Sequence, residues 1–234
     1  MTPQGARIGQ AFATEIEDFQ FYFKGTNLIQ LGHCGESPWL SLLSYRNKWL
    51  ISPNLENAQA SCVSSLTEMP FDRDSVDCVI APLTAELFSR GKSPIDEIDR
   101  ILKPMGYIIY FGINPWSFWG LALRWGALTY FAKPSTTVSS FSLKRSMLNR
   151  GYQQCFFNSF FYIPPVSNST LIHKLEFLNE MGKMVKPFPA GFYCLVMQKY
   201  QHALPFLTAD SVEEIIACKT TWRTASNTRL RKNV

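Results

Sequence analysis

The sequence predicts an α/β fold built on a mostly parallel sheet. Short apolar runs of strand length alternate with segments of helical periodicity, and Gly, Pro, Asn and Ser gather at the joins. Several runs are near-continuously apolar rather than alternating, as strands covered on both faces are. Composition supports a packed core. Of 234 residues, 46% are hydrophobic, 14% aromatic and 18% charged, which is globular and too aromatic for a disordered chain. A mean hydropathy of −0.05 excludes a multi-span membrane protein.

Ile8, Phe12, Ile16, Phe19 and Phe23 recur at helical spacing, which predicts a leading amphipathic helix stopped by Gly25. Asn27 to Leu31 (NLIQL) reads as a buried strand that turns at Gly32. Ser37 and Pro38 open the next helix as N-cap and first position, with Trp39, Leu42 and Leu43 inward. Lys48 to Ile51 is a second strand, and Ser61 to Val63 a third. Val76 to Leu83 (VDCVIAPL) is the fourth. Pro94 starts a helix with Ile95, Ile98, Ile101 and Leu102 on one face. Lys103 to Gly106 is a turn into the strand Tyr107 to Ile113 (YIIYFGI). The apolar segment Trp116 to Phe131 and a Pro/Ser/Thr linker, Pro134 to Ser140, follow. Phe141 to Arg150 is helical and stops at Gly151. Tyr152 to Ile163 is β-prone, Thr170 to Val185 helical, and Gly191 to Tyr200 a last strand. Ligands of such sheets lie beyond the carboxyl ends of the strands. The candidate loops are therefore Gly32 to Ser37, Ser52 to Asn57, Pro82 to Phe88 and Asn114 to Trp119.

The formal charge of +5 sits in the tail. Residues 216–234 carry Lys219, Arg223, Arg229, Arg231 and Lys232 and no acid, so the remainder is neutral. A solvated end is the plain reading of this tail, and contact with nucleic acid or anionic membrane the sharper one. The neutral remainder gives no support for a nucleic-acid face. The six cysteines (34, 62, 78, 155, 194 and 218) form no C-x-x-C pair, and no Cys/His cluster has metal-ligand spacing. The first twenty residues lack a basic start followed by an apolar run, so no secretory leader is expected. A cytoplasmic protein with reduced thiols and no metal is expected. Asn114, Pro115 and Arg124 interrupt the most apolar stretch, so no transmembrane segment is expected.

The most specific blocks lie downstream of the glycine loop. Met69-Pro70-Phe71-Asp72-Arg73-Asp74-Ser75-Val76-Asp77 enters the fourth strand. Glu97 to Gly106 (EIDRILKPMG) precedes the next, and Gly112 to Gly120 (GINPWSFWG) leaves it. Together they resemble the class I S-adenosylmethionine-dependent methyltransferases, type 11 domain. The Gly112–Gly120 segment is similar to that of a bacterial subgroup with G-x-N-P-W-S-x-W-G. The resemblance spans roughly Thr2 to Tyr200. It implies a Rossmann-like seven-stranded sheet with helices on both faces and a final antiparallel strand, with S-adenosyl-L-methionine as cofactor and S-adenosyl-L-homocysteine as product. It implies that residues 1–200 are one domain, with a helical insertion at about 116–140 and a basic C-terminal extension at 201–234.

By position, the resemblance sets Gly32, His33, Cys34 and Gly35 against the methionine part. Ser52 and Asn54 fall at the ribose, and Ser65, Leu66 and Met69 at the adenine. Leu83 and Thr84 line the methyl-transfer end, and Asn114, Pro115, Trp116 and Trp119 the acceptor side. Three departures stand out. The glycines are not at G-x-G-x-G spacing, the second strand ends without the acid that holds the ribose hydroxyls, and Ser65 replaces the acid that contacts adenine. Glu36, Asn54 or Glu56 would have to compensate. Losing a charge-assisted hydrogen bond costs about 1.5–3 kcal/mol.

Methyl transfer needs alignment and dehydration more than a nucleophile. Glu86 is the candidate base for a protonated acceptor, or an ordinary surface acid. His33 and Cys34 read as loop filler rather than a nucleophilic pair. Trp116 and Trp119 are either an aromatic wall or packing. The segment 116–131 packs in the core, caps an apolar acceptor or touches a membrane surface. The function expected is methyl transfer to an unidentified, apolar or aromatic small molecule. The alternative is an inactive methyltransferase-like binding module. A nicotinamide enzyme is disfavoured by the missing G-x-G-x-x-G.

Overall fold

A computed structural model describes residues 3–17, 19, 23–32, 37–53, 60–83, 94–126, 137–166, 174–185 and 188–200. In chain order the elements are α1 (Pro3–Glu17), β1 (Lys24–Leu31), α2 (Trp39–Leu42), β2 (Ser44–Ser52), β3 (Cys62–Val63), β4 (Val76–Pro82), α3 (Ile95–Ile101), β5 (Leu102–Ile113), α4 (Phe118–Arg124), α5 (Ser140–Asn149), β6 (Tyr152–Phe160), α6 (Phe177–Val185) and β7 (Phe192–Lys199).

The seven strands form one sheet in the order β3-β2-β1-β4-β5-β7-β6. β1 to β5 are parallel, and β7 runs antiparallel between β5 and β6. The sheet is the seven-stranded, mostly parallel one expected. Its order reverses between β1 and β4, the switch point where such sheets bind ligands.

Alternation along the central strands splits the core into two layers. Cys78 and Ile80 of β4, with Ile109, Phe111 and Ile113 of β5, face α1, α2 and α4. Val79 and Ala81, with Ile108 and Tyr110, face α3 and α5. Strands buried on both faces explain the continuous apolar runs. Phe12 of α1 centres the first layer. It stacks on Phe111 at 4.3 Å and meets Phe160 and Phe192 edge-on. Such aromatic pairs contribute about 0.5–1.5 kcal/mol beyond their buried area.

Four local expectations are corrected. α1 ends at Glu17, and Phe19 and Phe23 stay buried outside it. Gly25 therefore does not stop a helix. It sits in β1, where a Cβ would lie 2.8 Å from both Asp77 Cβ and Tyr45 Cε1. Ser37 does not cap α2, a single turn preceded by Pro38; its hydroxyl accepts from Gln30 Nε2 instead. The turn at Lys103–Gly106 is a bulge inside β5. Val76 pairs with Leu102 and Cys78 with Tyr107, and Met105 takes φ 63° in between. The last helix is shorter than the periodicity implies, starting at Phe177; part of the expected Thr170–Val185 span lies outside the described residues.

Candidate functional site

The carboxyl ends of β1, β2, β4 and β5 lie side by side in the sheet. At the end of β1, Gly32 is buried with φ 77°, the left-handed region that glycine enters without a Cβ penalty. Its amide donates to the Ile51 carbonyl at 2.8 Å, locking the turn to β2.

Sequence reasoning missed the group that frames this loop. Gln30 is fully buried in β1. Its Nε2 donates to the Gly32 carbonyl at 3.2 Å and to Ser37 Oγ at 2.8 Å, and its Oε1 accepts from the Trp39 indole at 2.9 Å. One side chain thus ties both ends of the 33–36 loop to α2. The available signal was a lone polar residue inside the apolar run NLIQL. His33, Cys34, Gly35 and Glu36 lie outside the described residues.

β2 ends at Ser52, which is buried, and its carbonyl accepts from the Ser64 amide at 3.2 Å. Ser52 stands where the resemblance implies an acid; Asn54 and Glu56 lie outside the described residues. Past β3, Ser65 is exposed and its hydroxyl bonds Thr67 Oγ1 at 2.8 Å. Leu66 and Met69 are buried in the layer beneath, with α3 and α5.

A clamp on α3 holds this segment. Glu97 Oε1 accepts from the Met69 amide at 2.8 Å, and Arg100 Nη2 donates to the Met69 and Phe71 carbonyls at 3.1 and 2.8 Å. The two side chains bond each other at 2.7 and 3.0 Å. The Arg100 hydrogen bond, against the opposing effect of burial and with help from the Met69 amide, holds the Glu97 carboxyl below its usual range. The spacing E-x-x-R thus sets where the Met69–Phe71 backbone lies.

Leu83, just past β4, has φ 53° and its amide donates to the Phe111 carbonyl at 2.7 Å. Thr84 and Glu86 lie outside the described residues. Beyond β5, Asn114 and Pro115 are half-buried. Asn114 Oδ1 accepts from the Trp116 amide at 3.2 Å. Ser117 caps α4, accepting from the Gly120 amide at 3.1 Å and donating to the Asn114 carbonyl at 2.7 Å. A Cβ on Gly120 would lie 2.4 Å from that carbonyl oxygen. The Gly112–Gly120 segment is thus a tight strand-to-helix joint. Trp119 is 2% exposed and its indole donates to the Ile163 carbonyl at 2.8 Å, so it packs in the core. Trp116 is 78% exposed.

Burial pushes the Cys78 thiol up to about 12 and raises Cys194 well above its ordinary value. Cys62, Cys78, Cys155 and Cys194 are free thiols. Among the described residues, no three His, Cys, Asp or Glu side chains are placed to hold a metal, and no helix is long and apolar enough to cross a membrane.

Comparison with known proteins bears on the fold. Residues 45–110 match the type 11 family model described as a methyltransferase domain. An S-adenosylmethionine-dependent methyltransferase from Thermotoga maritima superposes with TM-score 0.55 at 15% identity, over 80% of this chain and 87% of that one. One from Archaeoglobus fulgidus gives 0.51 at 16% identity, over 82% and 94%. The fold is the Rossmann-like methyltransferase fold. Geranyl diphosphate C-methyltransferase from Streptomyces coelicolor, in complex with Mg2+, geranyl diphosphate and S-adenosyl-L-homocysteine, shares it with TM-score 0.56 at 12% identity, over 83% and 81%. The sequence matches no curated protein.

The described groups at this edge of the methyltransferase fold are compatible with a nucleoside cofactor. Gly32 opens the first loop without a side chain, Ser52 closes β2 with a neutral hydroxyl, and Ser64 and Ser65 follow β3 with hydroxyls bonded to the Glu68 carbonyl and Thr67. Among the described residues, no carboxylate stands at the end of β2.

Proposed function

We propose that this chain is an S-adenosylmethionine-dependent methyltransferase acting on an apolar or aromatic small molecule. The observation that carries the reading is the left-handed, buried Gly32 turn at the switch point of a sheet with methyltransferase strand order. When bound, the cofactor supplies a methyl group already activated by a sulfonium. The chain then has to hold, orient and dehydrate. In this reading Gly32, His33, Cys34 and Gly35 hold the methionine part, Ser52 and Asn54 the ribose, and Ser65, Leu66 and Met69 the adenine side. Leu83 and Thr84 border the transferred methyl. Asn114, Pro115 and Trp116 face the acceptor, with Trp119 packed behind them, and Glu86 takes the proton of an acceptor that carries one. In this reading the Gly112–Gly120 segment is the one similar to a bacterial subgroup of the family. The domain runs over 1–200, with an insertion at about 116–140 and a basic extension at 201–234, in a cytoplasmic protein.

A second reading is a binding module without catalysis. Ser52 favours it, because a neutral hydroxyl forgoes the charge-assisted bond to ribose. Calorimetric titration with S-adenosylmethionine and S-adenosylhomocysteine separates the two. Micromolar binding is the expected result. A folded chain that takes up neither at millimolar concentration would overturn the enzyme reading.

A further inference from the structure

α4 is apolar nearly all round, and only one side of it is buried. Trp119, Gly120 and Leu123 face the core. Phe118 and Trp125 lie seven positions apart on another side and are exposed, with Leu121 and Ala122 half-buried. Trp116, just before the helix, is 78% exposed, and Trp125, just after it, 77%. An apolar helix with an outward apolar side implies a partner for that side.

The apolar zone continues onto α6. The Phe118 ring meets Phe188 at 5.5 Å, and Phe188 meets Tyr162 at 5.7 Å. Tyr162 packs on Gly182 of α6. α6 exposes Phe177, Met181, Met184 and Val185, Met184 to 85%. The whole zone is built on the segments that leave β5, leave β6 and enter β7. All three lie at the carboxyl end of β5, the edge that carries the candidate site.

Charge selects the partner. From Arg100 to Lys174 the sequence contains no Asp or Glu, only basic charges, Arg124 and Lys174 among them. Arg124 is exposed beside Trp125, and among the described residues no carboxylate pairs with it. Among the described residues of this zone the acids are Glu176, engaged by Arg7, and Glu180 on α6, against the cations Arg124 and Lys174. Exposed indoles beside a cation that no described carboxylate pairs suit the headgroup boundary of an anionic bilayer, where indole rings sit half in water and half in hydrocarbon.

We propose that the Trp116–Trp125 face, with the exposed side of α6, docks on an anionic phospholipid surface. Resting on the methyltransferase reading, this makes the acceptor an apolar molecule resident in the bilayer, delivered to the edge the docked face carries.

The test is flotation of the full chain with two kinds of vesicle, phosphatidylcholine alone and phosphatidylcholine with phosphatidylglycerol. Expected is binding to the mixed vesicles that weakens with salt. The Trp116→Ser/Trp125→Ser double variant should bind at least about tenfold more weakly. Phe141→Ser, an exposed aromatic on the opposite face of the sheet, should bind as the parent does. Flotation with neither vesicle overturns the proposal. So does unchanged binding by the folded double variant, or self-association in solution that the double variant abolishes, which would assign the face to a second copy. Titration with S-adenosylhomocysteine without vesicles is scored separately. Vesicle binding without cofactor binding keeps the docking surface and removes the acceptor assignment, and cofactor binding without vesicle binding overturns both while the methyltransferase reading stands.

Discussion

Gln30 has no exposed atoms, and its amide is committed on both sides: two donations to the ends of the glycine loop and one acceptance from Trp39. Gln30→Leu keeps the volume but leaves a buried indole N–H and the Gly32 carbonyl short of partners. An unsatisfied buried group costs about 1–3 kcal/mol. Urea denaturation should show a loss of that size. S-adenosylhomocysteine affinity should also fall, because the loop loses its anchor at both ends. An unchanged midpoint would mean that water replaces the amide. Gly32 was legible as a turn because an apolar strand ended on a glycine. Gln30 was not, because a polar residue in a strand declares its partner only when Trp39 and Ser37 are brought to it from further along the chain.

At the scale of elements, α6 sets propensity against packing. In an isolated helix Ala is favoured over Gly by about 1 kcal/mol. Gly182 lies under Tyr162, and a Cβ there would sit 2.2 Å from the ring. Gly182→Ala should therefore lower the thermal midpoint rather than raise it, since overpacking costs about 1–3 kcal/mol. Removing the ring with Tyr162→Ala should turn the effect of the glycine change favourable in a double-mutant cycle. The same competition explains α1. Its periodic pattern runs to Phe23, but the chain must enter β1 at Lys24 with Gly25 pressed against Asp77 and Tyr45. Phe19 and Phe23 remain in the core without remaining in the helix, because burial needs a side, not a helix. At the β5–α4 joint, the motif read as part of an acceptor site is also a packing device. Ser117, Gly120 and Trp119 close the turn, and of its two indoles only Trp116 reaches the surface.

Across the whole molecule, two carboxylates join distant segments, and both titrate below their ordinary range. Burial pushes Asp77 up, but the Lys103 hydrogen bond, the Asn27 and Thr26 amides and the Lys103 charge outweigh it. Asp77 thereby joins β1, β4 and the β5 bulge. Glu97 joins α3 to the Met69 segment. A carboxylate with a depressed folded pKa contributes stability above its unfolded value, about 4 for these groups, and loses it as pH falls through the folded value. Stability should hold down to about pH 5 and then decline. Asp77→Asn should flatten that decline while lowering stability at neutral pH, as denaturation midpoints measured from pH 7 to pH 3 would show. A variant with the parent's acid limb would remove Asp77 from this role.

The sequence by itself determined the α/β class and the identity of all seven strands, because apolar runs bounded by turn residues report burial directly. It also located the loops at the carboxyl ends, since those follow from strand direction. Tertiary structure decided what the polar residues do. The Glu97–Arg100 clamp and the burial of Trp119 depend on partners tens of residues away, and the Gln30 bracket depends on a turn that brings Gly32, Ser37 and Trp39 back to one amide. It also decided which apolar residues stay outside. Trp116, Trp119 and Trp125 lie in one apolar stretch, yet only the rotation of α4 against the sheet buries the second and leaves the other two facing out.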